Sequence, residues 1–306
     1  PSPPMLLHDL DAVRLAESRL DPDGLSSTDV RQLTLLFTQY LHALGRKVKL
    51  RQRAVSTACV FFQRFFVERT FFEHDPLLIA PTALWMASKV EESEVKAKHI
   101  VREMNELGLA GNMYEASHLQ AAEYVVLEVI VPFGLSVDHP HVPLARLLAE
   151  ADLRTNIGVE RSECFVLTAT ALVNDACRAP DLSLCYEPRL VALACAHVAS
   201  LLEHVPFSKF LPAPPTQAEH DAIEKIAASL LSVYEGLHAG GGNANGRSGS
   251  KVPGVGGHAA TTTAAAYSNE ALGIAYARLS DYWAGRAAET PHEEQAAASG
   301  ALVAVA

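Results

Sequence analysis

The stretch Ser88-Lys89-Val90-Glu91-Glu92, with Glu94 just beyond, sets one cation and three carboxylates at the end of an apolar run. Glu91 and Glu92 fall at the C-terminal end of an expected helix, where the macrodipole disfavours anions by about 0.3–1 kcal/mol each. An arginine from a partner protein would offset that through directional, charge-assisted hydrogen bonds. Solvation of surface carboxylates is the alternative. Lys89 keeps a cation on an otherwise apolar helix, and Glu123 lies between Ala121-Ala122 and Tyr124-Val125-Val126. Together they offer donors and acceptors to an incoming backbone, or else form an internal ion pair that orients two helices. A third group is the basic run Arg46, Lys47, Lys49, Arg51 and Arg53. It reads either as a solvated turn between helices or as a docking site for an acidic or phosphorylated loop, with Arg51 opening the second helix.

None of these groups is a catalytic arrangement. The sequence holds no Gly-rich phosphate loop, G-x-S-x-G elbow, H-E-x-x-H or zinc-type cysteine spacing. No catalytic residue, cofactor or metal site is expected. His139-Pro140-His141 is the nearest thing to a metal pair, but the proline breaks helical spacing and no acidic or cysteine ligand sits alongside, so structural or solvated histidines are expected. The aromatic run Phe61, Phe62, Phe65, Phe66, Phe71 and Phe72 has no interleaved basic residues along a strand and reads as core, not as a base-stacking platform.

Composition narrows the class further. With 306 residues, 49% hydrophobic and 20% charged, the chain is expected to fold around two cores. Lys plus Arg total 25 against 35 for Asp plus Glu, and the net charge of −10 argues against binding nucleic-acid phosphates. Residues 1–29 carry two basic and six acidic side chains and residues 30–138 twelve of each, so a cationic contact surface belongs in the first half. Five cysteines without a C-x-x-C pair suggest a reducing compartment. The longest apolar run, Leu190 to Leu202, falls short of the roughly 18 residues of a spanning helix. No secretory signal is evident, and an intracellular protein is expected.

These groups must be positioned by helices. Apolar residues recur at three and four positions over Val30 to Leu44, with Gly45 as the expected cap. Arg51 to Arg69 is apolar around most of its circumference and should be central. Asp75-Pro76 supplies an N-cap and a first-turn proline for a helix reaching about Glu91. Lys96 to Leu107, stopped by Gly108, and Tyr114 to Ile130, stopped by Pro132, complete a five-helix unit. The same signals return at Pro140–Glu150, Val159–Cys177, Pro188–Leu202, Phe207–Leu211 and Thr216–Leu237. At a fixed offset of 112 residues Asp75 meets Glu187, Pro76 meets Pro188, Ser88 meets Ser200, Glu91 meets Glu203 and Lys89 meets Leu201. The expected fold is all-α: two tandem five-helix bundles over 30–138 and 139–238, after an N-terminal segment at 1–29. Residues 239–306 are Gly/Ala-rich, expected to be a flexible linker and tail, with a short amphipathic helix over 270–284.

The stretches LTLLFTQYLHALGRKVKLRQR, AVSTACVFFQRFF and DPLLIAPTALWMASKVEE resemble the first cyclin box of the cyclin family, closest to cyclin C, the cyclin of the Mediator kinase module. The second box is similar through Asp138-His139-Pro140 to Leu148, Val173-Asn174-Asp175 and Pro188 to Leu201, and the resemblance covers about residues 30–237. It implies a non-catalytic subunit that binds a cyclin-dependent kinase and holds inward the helix carrying the kinase's catalytic glutamate. By motif, Lys89 and Glu123 would grip the kinase beside that helix, Glu91 and Glu92 would face kinase arginines, and Arg51 would lie near the activation segment. The implied partners are a Mediator-associated kinase and other kinase-module subunits, with no nucleic acid or membrane, and the implied setting is nuclear transcription by RNA polymerase II. Another transcriptional cyclin of the H, K, L or T type, or a TFIIB-type general transcription factor, remains open at this level.

Overall fold

The computed structural model describes residue 13 and residues 27–107, 114–211 and 215–239. Most of the 1–29 segment, Gly108, the stretch beyond 239 and the helix expected over 270–284 lie outside the described residues. Every regular element among those described is helical, in keeping with the expected all-α class. Their contacts fall into two units that part between Val137 and Asp138.

The first unit holds α1 (Ser27–Lys47), α2 (Gln52–Glu68), α3 (Pro76–Val90), α4 (Ala97–Glu106) and α5 (Ala116–Ile130). α2 and α3 are central because they have almost no polar face to turn outward: α2 is buried from Ala54 to Val67 and α3 over most of Pro76 to Ser88. α3 starts where expected, with Asp75 Oδ1 accepting the Leu77 N–H at 2.8 Å and Pro76 in the first turn. Of the aromatic run, Phe61, Phe62, Phe65, Phe66 and Phe71 are core, and Phe72 is half-buried. Phe66 and Phe71 stack with centroids 4.0 Å apart, and Phe62 and Phe37 close the cluster.

Gly45 does not cap α1. The helix runs on to Lys47, and Lys49 adopts the left-handed conformation at φ 57° while the Leu50 N–H reaches back to Gly45 O at 2.9 Å. A Cβ at position 45 would lie 2.4 Å from Val55 Cγ2. The glycine is there so that α1 and α2 can approach closely.

The second unit holds α6 (His141–Glu150), α7 (Leu153–Ile157), α8 (Val159–Ala176), α9 (Pro180–Cys185), α10 (Pro188–Leu202) and α11 (Gln217–Ala239). α7 and α9 are too short to show helical periodicity in sequence, and a single 3-10 turn, Phe207–Phe210, stands where the first unit has α4. The His139-Pro140-His141 pair is structural: His139 is buried, and His141 Nε2 lies 2.8 Å from Asn174 Oδ1.

The repeat is reproduced at atomic detail. The Ser93 N–H bonds Ser88 O at 2.9 Å and the Val205 N–H bonds Ser200 O at 3.0 Å. Glu92 (φ 50°) and His204 (φ 51°) fill the same left-handed position after α3 and α10. Thr57 Oγ1 donates to Glu91 Oε1 at 2.7 Å, and Thr168 Oγ1 donates to Glu203 Oε1 at 2.6 Å. In each unit a threonine of the preceding long helix thus holds the carboxylate that follows α3 or α10.

Candidate functional site

α3 and α5 pack together in the first unit and bring Lys89 and Glu123 into contact across 34 residues of sequence. α5 turns Leu119, Ala122, Val126, Val129 and Ile130 inward, which leaves Glu123 at the edge of the buried stripe and Tyr124 75% exposed beside it. Lys89 Nζ lies 2.6 Å from Glu123 Oε1, and the two side chains keep 34% and 21% of their surface in solvent. The ammonium also sits 3.5 Å from the centroid of the Trp85 ring, one helical turn earlier on α3. One of three donors and one carboxylate oxygen are committed to the pair, so the opening keeps capacity for both an acceptor and a donor from outside. A groove of about 850 Å³ adjoins it, lined by Trp85, Lys96, Lys98, Val101, Tyr114 and Gln120.

Glu91 is engaged within the chain. Its Oε2 lies 2.6 Å from Arg53 Nε, its Oε1 accepts from Thr57, and its side chain is only 9% exposed. The sequence reading offers a partner's arginine for Glu91, whereas the cation beside it in the structure is the chain's own Arg53, whose side chain is 64% exposed. Glu92 is exposed at the left-handed turn, and Glu94 is exposed beyond it. Arg51 is the N-cap of α2, exposed, at φ −66° and ψ 148°. Arg46, Lys47, Lys49 and Arg53 are exposed at the same corner, where Lys47 meets Glu106 at 3.4 Å. The structure therefore gathers Lys89 with Glu123 and Arg53 with Glu91, and leaves the side chains of Arg51 and Glu92 exposed.

Two contributors escape a reading of the sequence. Trp85 has a signal, since it precedes Lys89 by four positions on a helix. Arg64 has a weaker one, a lone charge amid the phenylalanines of α2. Its fully buried guanidinium donates from Nη1 to Gly134 O at 2.9 Å and lies 5.8 Å from the Phe133 ring centroid, pinning the turn after α5 to α2. Burial pushes Arg64 down to about 10, which leaves it charged at neutral pH.

Among the described residues no cluster of His, Cys, Asp and Glu could hold a metal ion, and no helix is long and apolar enough to cross a membrane. Residues 19–131 match the family model described as the cyclin N-terminal domain. The chain is 30% identical over 229 residues to cyclin-C1-1 of Oryza sativa subsp. japonica, covering 74% of this chain and 83% of that protein. It is 32% identical over 231 residues to cyclin-C1-2 of Arabidopsis thaliana, covering 75% and 83%. In fold it is similar to a chain of the CAK complex from Chaetomium thermophilum, with TM-score 0.62, 15% identity and coverage of 76% of this chain and 79% of that one. The chain belongs to the cyclin family, whose members are non-catalytic regulators of kinases. That membership sets aside the TFIIB-type reading.

Proposed function

We propose that this chain is the activating subunit of a cyclin-dependent kinase attached to Mediator, acting in the nucleus on transcription by RNA polymerase II. Other subunits of the same kinase module are its further partners. The observation that carries the reading is the half-open Lys89–Glu123 pair on α3 and α5. Its ammonium can donate to a carbonyl oxygen and its carboxylate can accept an N–H, the two backbone groups left over at helix ends. A partner helix seated there is fixed in position and in rotation, as a kinase needs for its catalytic glutamate to meet its ATP-binding lysine. Similarity to cyclin C at about 30% identity supports the choice of kinase over those of other transcriptional cyclins.

In this reading residues 30–138 form the kinase-binding box and residues 139–238 the second box. Glu92 and Arg51 add exposed charge to the kinase-facing side, and Glu91 contributes by fixing Arg53. The test is reconstitution of the full chain with purified kinases of the Mediator, H-, K-, L- and T-type partnerships, read as complex formation and as phosphorylation rate. Stimulation confined to the Mediator kinase is expected. Stimulation of a different kinase overturns the Mediator reading.

A further inference from the structure

At the end of α3 the surface shows Arg53 where the sequence shows Glu91. The Glu91 side chain is 9% exposed, its Oε1 accepts from Thr57 and its Oε2 lies 2.6 Å from Arg53 Nε. A partner's arginine could reach that carboxylate only by displacing Arg53. A guanidinium has five N–H donors, and with Nε beside Glu91 the four on Nη1 and Nη2 remain for another acceptor. The internal repeat shows that the glutamate does not need this arginine. Glu91 and Glu203 are the C-caps of α3 and α10 and face the same unfavourable helix dipole. Thr168 holds Glu203 at 2.6 Å as Thr57 holds Glu91 at 2.7 Å. Four positions before these threonines stand the exposed Cys164 in the second unit and Arg53 in the first, and no ion pair joins Glu203 to another described residue. Since a threonine suffices in one unit, the guanidinium added in the other answers to something outside the chain.

We propose that Arg53 receives a carboxylate side chain of the kinase, so that the partner's surface at this corner is acidic where the family resemblance implies arginines. This rests on the kinase-binding reading given above. The end of α3 carries the Lys89–Glu123 pair on its α5 side and the Glu91–Arg53 pair on its α2 side, and a kinase seated on the first reaches the second. Lys49 and Arg51, exposed shortly before Arg53 in the chain, add to a field that draws an anion. The kinase carboxylate completes an acid–guanidinium–acid triad, with the bidentate geometry that an arginine offers and a lysine does not. A phosphate is the poorer fit, because the Glu91 carboxylate on the same guanidinium repels a doubly charged group more than a singly charged one. Arg53 thereby sets partner choice: a kinase with a basic residue at the facing position is repelled, and one with an acid is accepted.

The experiment is calorimetric titration of the full-length chain against whichever kinase it stimulates in the reconstitution, with and without phosphatase treatment of that kinase. Arg53→Gln should weaken binding by about 10- to 100-fold, Arg53→Glu by more, and Arg53→Lys by less than Arg53→Gln. Thermal unfolding should hardly move, because the arginine is mostly in solvent and such pairs add little to stability. The loss should persist when Arg53→Gln is made in the Glu91→Gln background, which shows that the guanidinium meets the kinase and does not act by masking Glu91. Unchanged affinity in Arg53→Gln overturns the proposal, and tighter binding does so by assigning Glu91 to a kinase arginine. A loss that vanishes in the Glu91→Gln background also overturns it, as does one that vanishes with phosphatase-treated kinase, which would make the anion a phosphate. Lys89→Ala separates the two levels: if it abolishes binding while Arg53→Gln is silent, only this inference falls, and if no kinase binds the parent chain, the kinase-binding reading falls with it.

Discussion

Exchanging the charges of the Lys89–Glu123 pair separates an internal strut from a recognition element. Lys89→Glu alone brings two carboxylates to the 2.6 Å site. At an effective dielectric constant near 20 two like charges about 4 Å apart cost about 4 kcal/mol. Both side chains are partly in solvent and can swing apart, so the retained loss is about 1–2 kcal/mol, a fall in Tm of roughly 2–8 °C. The double exchange Lys89→Glu/Glu123→Lys restores opposite charges and should recover most of that, short of the ~0.5–1 kcal/mol from the ammonium over Trp85. Kinase binding should not recover, because donor and acceptor now face the wrong backbone groups. Losing a hydrogen-bonded charge at an interface costs about 2–5 kcal/mol, a weakening of about 30-fold to several-thousand-fold. Thermal unfolding and calorimetric titration against the kinase read the two quantities separately. If the double exchange regained stability and affinity together, the pair would be a strut and its assignment as a grip would be refuted.

Gly45→Ala should destabilise the chain by about 1–3 kcal/mol in urea titrations, despite the better helix propensity of alanine, because the new methyl meets Val55 Cγ2 at 2.4 Å; Val55→Ala in the same chain should recover part of the loss. Glu92→Gly should raise stability by about 0.5–1 kcal/mol, since residue 92 sits at φ 50° where a side chain is strained, and Glu92→Val should lower it. His74 lies edge-on to Phe65 with centroids 5.0 Å apart, and its pKa is held below the usual histidine value, chiefly by burial and secondarily by Arg69, with Glu73 opposing. The unfolded chain therefore binds the proton more readily, and stability should fall as pH drops below about 6.5; His74→Gln should flatten that slope in denaturation midpoints taken from pH 7.5 to 5. Glu219 is held down to about 2 by the Thr216 N–H, then by Arg189 and the Thr216 hydroxyl, so its contribution is complete above about 4.5 and disappears as pH falls towards 2; Glu219→Gln should remove that part of the acid transition.

How much of this was legible in advance follows from the range of each interaction. The Asp75-Pro76 start of α3, the central place of α2 and the 112-residue repeat are written in capping residues and apolar spacing that act over a few positions, and the chain folds accordingly. The short α7 and α9 were not legible, because five or six residues carry too little periodicity. Nor was the ending of α1: a glycine near a helix end suggests a cap, but at Gly45 the deciding fact is the distance to Val55 on another helix.

The site divides along the same line. Sequence placed Lys89 on the buried helix of the first unit and Glu123 within an apolar stripe, and so identified two charges in unusual company. Only packing of α3 on α5 decided that they meet, with their outer faces still open to solvent. Packing likewise gave Glu91 to Arg53 and Thr57, left Arg51 exposed and seated Arg64 against the turn after α5. Helix identity is a local property, set by neighbours one turn away. Which charges share a dielectric boundary depends on residues brought together from 34 to 70 positions apart, and that information exists only once the helices have packed.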